Sequence, residues 1–302
     1  MRGGSIMPKN IFYDLKNISD ALLKVHYLAT ENISRAVFLA FQLKKPLLIE
    51  GPAGVGKTEL AKSLALTAKM PLIRLQCYEG LDEQHALYQW NYQKQLLFLQ
   101  ANQRNQLDWQ ETKNDIFGEE FLLARPLLKA FQSPSQAVLL IDEIDKADEE
   151  FESFLLEALS DYQLSIPEFG TVKAQNVPII FLTSNNSRDL SDGLRRRCIH
   201  LYIDYPSFEQ ELAIVSTKQE GLDEELAKAV VKFVQRLRKE TLRKPPSIAE
   251  TLDWSRALTI LGNTGKLDQN IVGDTLNLLL KYNQDHNLVK QKLEELLLAT
   301  KA

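Results

Sequence analysis

Gly51-Pro52-Ala53-Gly54-Val55-Gly56-Lys57-Thr58 carries the full pattern of a Walker A phosphate loop, with Lys and Thr directly after the last glycine. The apolar run before it, residues 46–50, predicts a buried strand, and Glu59-Leu60-Ala61-Lys62-Ser63-Leu64-Ala65 after it predicts a helix. Strand, glycine loop and helix in that order separate a phosphate loop from an ordinary Gly-rich turn. The glycines let backbone N–H groups wrap a phosphate chain, and the helix N-terminus adds its dipole. In this arrangement Lys57 reaches the outer phosphates and Thr58 ligates Mg²⁺.

Outward from the loop, helical spacing over 17–42 (Ile18, Leu22, Val25, Leu28, then Ile33, Ala36, Val37, Ala40) predicts two helices before the first strand. Further strands are expected at 71–76, 137–141, 178–183 and 199–203, with helical patterns between them. Apolar strands alternating with helices predict an α/β fold with a parallel five-stranded sheet covered on both faces. Two stretches break the rhythm: a Gln- and Asn-rich insertion over 91–120, and a β-hairpin over 162–174 after a helix at 150–160. The core is expected over 15–206, with Pro206 at the boundary. Residues 207–302 read as a small all-α lid of helices near 207–218, 223–240, 248–262, 268–282 and 285–300. Asp223 and Ser247 are expected N-caps, with Glu250 completing a capping box. Residues 1–14 read as a disordered leader or tag.

Ala137-Val138-Leu139-Leu140-Ile141-Asp142-Glu143 is an apolar strand ending in two acids, the Walker B pattern. Asp142 is expected in the Mg²⁺ shell and Glu143 as the group that activates the attacking water. One acid suffices for the metal; the second is what hydrolysis requires. Asn185, after the buried run 178–184, is placed to position that water, although Asn185-Asn186-Ser187 also suits a turn. Leu194-Arg195-Arg196-Arg197-Cys198 offers a basic triplet. Arg197, with Arg196 second, is the candidate arginine finger into a neighbouring subunit's ATP. The alternative is capping of a helix C-terminus. Arg256, inside the helix that begins near Ser247, is read as reaching the phosphates in cis, against a simple ion pair with Asp253. Tyr88, Trp90 and Tyr92 alternate as packing aromatics do, with base stacking as the rival reading.

The chain has 302 residues, 44% hydrophobic and 25% charged, with a formal net charge of −4, so no broad basic field points to nucleic acid. Two cysteines, Cys77 and Cys198, are too few for a disulfide framework and fit a reducing, cytoplasmic compartment. No apolar run approaches the ~18 residues of a membrane span. Four His and two Cys are scattered, without metal-ligand spacing.

In this order, Walker A, Walker B, a polar strand end, a triplet arginine and a lid arginine resemble the AAA+ ATPases over about residues 15–300. The insertion and the hairpin are similar to those of the MoxR-type, helix-2-insert group. Gln76-Cys77-Tyr78-Glu79-Gly80-Leu81-Asp82, Tyr88-Gln89-Trp90-Asn91-Tyr92 and residues 245–256 resemble the branch with the CoxD-type maturation ATPases of carbon monoxide dehydrogenase. The resemblance implies a Mg-dependent ATPase assembled as a homo-oligomer, usually a hexameric ring, with nucleotide held between core and lid by Gly51 through Thr58, Glu59 and Asp142. It also implies chaperone-like remodelling or maturation of a protein client, with a von Willebrand A domain partner. Two rivals remain: a DNA-directed AAA+ ATPase, disfavoured by the acidic balance, and a nucleotide-gated scaffold with negligible turnover, disfavoured by Glu143.

Overall fold

The computed structural model describes residues 11–101, 115–167, 169–219, 221–263 and 265–301. After a short 3-10 turn come α1 (Leu15–Lys24) and α2 (Glu31–Gln42), then β1 (Leu47–Glu50), α3 (Lys57–Ala68) and β2 (Leu72–Gln76). Next are α4 (Glu83–Ala86), β3 (Tyr88–Trp90), α5 (Tyr92–Ala101), β4 (Leu122–Ala124), α6 (Pro126–Phe131) and β5 (Val138–Asp142). Then follow α7 (Glu149–Asp161), β6 (Gln163–Ile166), β7 (Gly170–Lys173), β8 (Ile179–Ser184), α8 (Asp192–Arg197) and β9 (Ile199–Tyr202). Helices alone continue the chain: α9 (Phe208–Lys218), α10 (Glu224–Leu237), α11 (Ile248–Ile260), α12 (Gln269–Leu279) and α13 (Asn283–Lys301).

The main sheet has the order β2-β5-β8-β1-β9, every neighbouring pair parallel. The fold is therefore the α/β class with the parallel five-stranded sheet that the apolar runs predict. β1, β5 and β8 are buried along their whole length, as central strands covered on both faces must be. Register fixes the site: Glu50 pairs with Ser184 and Gln76 with Asp142, so all three inner strand ends open on one edge of the sheet. In a parallel sheet that carboxyl edge is where ligands bind.

The expected hairpin forms from β6 and β7, antiparallel, with Gln163 opposite Lys173. The insertion contains α5 and is bracketed by a two-stranded ribbon, β3 against β4; residues 102–114, which belong to it, lie outside the described residues. Tyr88 and Trp90 pack edge-on at 6.0 Å, and Trp90 meets Phe117 at 5.1 Å, so these two aromatics are packing groups; Tyr92 is exposed. At the N-terminus one expectation needs correcting. Phe12, inside the expected leader, is fully buried and stacks on Phe41, and Asp14 accepts from the Lys16 N–H at the start of α1. Residues 11–14 therefore belong to the fold; residues 1–10 lie outside the described residues.

The chain divides into two compact units. The first holds the segment up to Ala21, Glu31–Glu50 and Thr58–Tyr202, around a core that includes Leu139, Ile141, Phe131 and Phe151. The second holds Leu22–Thr30, the loop Gly51–Lys57 and everything from Ile203 onward. Trp254, Phe233, Leu276 and Val289 pack at its centre, and the Trp254 indole N–H donates to Thr275 at 2.8 Å. Asp223 caps α10 by accepting from the Leu226 N–H, and Ser247 with Glu250 forms the expected capping box on α11. A buried charge pair adds to this unit. Glu211, with no exposure, accepts from Arg238 at 2.5 and 2.7 Å, from Gln235 and from Thr251.

Candidate active site

The phosphate loop joins the end of β1 to the start of α3 and runs in conformations that demand glycine. At Gly51 φ is +146°, and a Cβ there would sit 1.9 Å from the Ile203 carbonyl oxygen. At Gly54 φ is +75°, and a Cβ would meet Ser247 Cβ at 2.3 Å. The loop thus packs backbone-to-residue against the N-cap of α11, closer than any side chain allows. Val55 is buried, while Ala53 and Gly54 are exposed and Pro52 and Gly56 lie between. The Lys57 ammonium is 6% exposed and donates to the carbonyls of Gly51 at 2.6 Å and Pro52 at 2.7 Å. A buried ammonium resting on its own loop's carbonyls is a cation held in place for a stronger acceptor, such as phosphate oxygen.

Thr58 belongs to the first unit. Its hydroxyl donates to Asp142 Oδ1 at 2.9 Å. The Thr183 hydroxyl donates to the same oxygen at 2.5 Å and accepts the Glu143 N–H at 2.9 Å. Asp142 Oδ2 accepts from Arg74 Nε at 3.0 Å and Nη2 at 2.5 Å. Asp142 is 3% exposed, so these donors replace the water it has lost. The set fits a magnesium ion: Thr58 spends its only proton on Asp142, which leaves its lone pairs for a hard cation beside a carboxylate.

Glu143 sits at φ +58°, the left-handed region that non-glycine residues seldom adopt, at a cost of about 1 kcal/mol. Its carboxylate accepts from Gln76 Nε2 at 2.8 Å and Lys146 Nζ at 2.6 Å. The same hydrogen bond and charge hold the Lys146 ammonium above its ordinary pKa. Asn185, half-buried, follows β8; its N–H donates to Asp145 Oδ2 at 3.2 Å. Asp145 Oδ2 also accepts the Ser187 N–H at 2.9 Å and hydroxyl at 2.6 Å, so the turn after β5 is tied to the loop after β8. Burial raises the Asp145 pKa, but the Ser187 hydroxyl, the Ser187 N–H and the Asn185 N–H outweigh it and leave the group below its ordinary value.

The basic triplet separates into different roles. Arg195 turns inward and forms a two-pronged pair with Glu50, 2.9 Å on each oxygen, and His200 Nε2 lies 2.5 Å from the same carboxylate. Arg196 is exposed, with no partner among the described residues. Arg197 is exposed and only tethered, Nε to the Ser160 hydroxyl and Nη1 to the Gly193 carbonyl at 3.1 Å. Arg256 is also exposed, with no partner among the described residues, Asp253 included. It lies nine residues past the Ser247 N-cap, about 13 Å of helix rise from the contact with Gly54. Glu59 is half-buried in the first turn of α3. Cys77 and Cys198 are free and buried, and burial pushes both thiols up to about 12, which removes them as nucleophiles.

Sequence reasoning did not find Arg74, Gln76, Lys146 or Asp145 as members of this cluster. The signal was present for the first two. Leu72-Ile73-Arg74-Leu75-Gln76 places two polar side chains at period two on an otherwise apolar strand, hence on one face. Asp145 and Lys146 were hidden in a turn whose path depends on the left-handed step at Glu143.

This loop, the paired acids and the sheet order define a nucleotide-binding P-loop protein. Residues 47–205, more than half of the chain, match the ATPase family associated with various cellular activities (AAA), and the chain belongs to that family. It is similar to an uncharacterised protein of Staphylococcus epidermidis (strain ATCC 12228 / FDA PCI 1200), 28% identical over 230 residues, 74% of this chain and 79% of the relative. An uncharacterised protein of Staphylococcus haemolyticus (strain JCSC1435) is 25% identical over 250 residues, 80% of this chain and 86% of the relative. Membership supports an ATP-driven activity. Among the described residues no helix is long and apolar enough to cross a membrane.

Proposed function

We propose that the protein is a Mg²⁺-dependent ATPase of the MoxR type that works as a homo-oligomeric, hexameric ring and uses hydrolysis to remodel or mature a protein client. The observation that carries the ATPase reading is the Thr58 hydroxyl donating into Asp142, with Glu143 the next residue along the chain. In this reading Gly51 through Gly56 and Lys57 bind the phosphates, and Glu59 lies beside them in the first turn of α3. Thr58 and Asp142 hold the metal, which when bound neutralises phosphate charge and orients the outer phosphate. Glu143 takes the proton from the attacking water, and Asn185, braced through its N–H by Asp145, orients that water. Arg197 or Arg196 from a neighbouring subunit offsets the charge that develops on the transferred group. Arg256 is kept as a phosphate ligand that engages on nucleotide binding.

The client, a von Willebrand A domain partner and kinship with the CoxD-type maturation ATPases rest on the resemblance of residues 76–82, 88–92 and 245–256. A cytoplasmic location fits the two unpaired, buried thiols. Glu143→Gln separates this reading from a nucleotide-gated scaffold. It should keep binding a fluorescent ATP analogue while turnover falls by on the order of 10²–10⁴-fold. A wild type that binds ATP without measurable turnover would leave the scaffold standing.

A further inference from the structure

Asp142 has an ionised carboxyl's full complement of acceptor positions occupied, two hydroxyl donors on Oδ1 and two guanidinium donors on Oδ2. The donors are not equivalent. Thr58 and Thr183 donate protons and keep lone pairs, so both hydroxyls can stay where they are when a cation arrives. Arg74 brings a positive charge, and neither it nor its donors can share Oδ2 with a divalent ion or that ion's bound water. The two ends of the pair also differ in burial: Asp142 is 3% exposed, whereas Arg74, on the edge strand β2, is 47% exposed. An arginine that is half in water can swing out at little cost, while the buried carboxylate must always be paired. Arg74 also donates through Nη2 to Gln76 Oε1, so it has a second acceptor on its own strand.

From this asymmetry we infer that Arg74 is a built-in counter-cation for the metal-binding acid. It balances Asp142 while the ion is absent and is displaced from Oδ2 when the ion binds, so it sets the magnesium concentration at which nucleotide engages. This deepens the proposed function, on which it rests. In this inference Arg74 is a positioning residue that acts through Asp142.

The test is a magnesium titration of binding of a fluorescent, non-hydrolysable ATP analogue, followed by its emission, for wild type, Arg74→Gln and Arg74→Lys. Removing a competing charge-assisted pair should lower the half-saturating magnesium concentration by roughly tenfold in Arg74→Gln. Arg74→Lys, a point charge without the two-pronged fork, should fall between. Melting of each protein without ligand checks that the fold persists, and the lysine variant keeps the test open if the glutamine variant melts early. A midpoint that stays put or rises in both variants would overturn the inference while leaving the ATPase reading intact. A wild type whose analogue binding ignores magnesium altogether would overturn the metal assignment and this inference together.

Discussion

Asp142, at the end of β5, is 3% exposed and has both oxygens occupied, whereas Arg196 and Arg197, in the last turn of α8, are exposed; Arg196 has no partner among the described residues, and Arg197 donates only to the Ser160 hydroxyl and the Gly193 carbonyl. Their neighbour Arg195 is the contrast within the contrast, clamped on Glu50 beside the phosphate loop. A carboxylate saturated with donors is organised before any ligand arrives. An arginine left in water contributes little until something desolvates it. On the proposed function, the difference teaches that one chain would complete the metal and water-activating side of its site by itself and leave the charge-offsetting side for another surface to complete.

The largest expected effect breaks that comparison at its open end. Replacing both Arg196 and Arg197 with Ala should slow assembled-state hydrolysis by on the order of 10³-fold or more, with analogue binding by one subunit little changed. Steady-state ATPase rates and equilibrium binding, measured on the same preparation, check both halves. Equal losses in binding and turnover would place the triplet in the subunit's own phosphate site instead.

Next in size is the buried pair that holds the helical unit. Glu211→Ala strands Arg238, 7% exposed, without its partner and should destabilise the protein by about 3–5 kcal/mol in denaturant unfolding. This sharpens the comparison, because a saturated carboxylate outside the site should show its loss as stability alone.

The smallest effect concerns Asp145. Its folded-state pKa lies below the ordinary value, so its contribution is fully present above that ordinary value and is lost as pH falls through the lowered one. Asp145→Asn should cost about 1–2 kcal/mol at neutral pH. The gap from wild type should close in strongly acidic solution, as read from unfolding curves across pH. A gap that persists there would mean the loss is steric and not ionic.

What was legible in the sequence follows from where the physics is local. The loop Gly51 to Thr58 declares itself because only glycine fits the backbone there, and Asp142-Glu143 because two acids end an apolar strand. The strand runs read correctly because central parallel strands are apolar throughout. Contacts that depend on sheet order were not legible. Arg74 meets Asp142 only because β2 lies beside β5, and Arg195 meets Glu50 across 145 positions of sequence. The burial of Phe12 is not legible because a lone 3-10 turn carries no periodicity to reveal it.

The most direct test of the proposed composite site is ATPase rate per subunit against protein concentration, with particle size followed by light scattering in ATP and Mg²⁺. The account predicts a rate that rises with concentration in step with the appearance of a ring-sized particle. A full rate from a particle that remains a monomer at every concentration would contradict it.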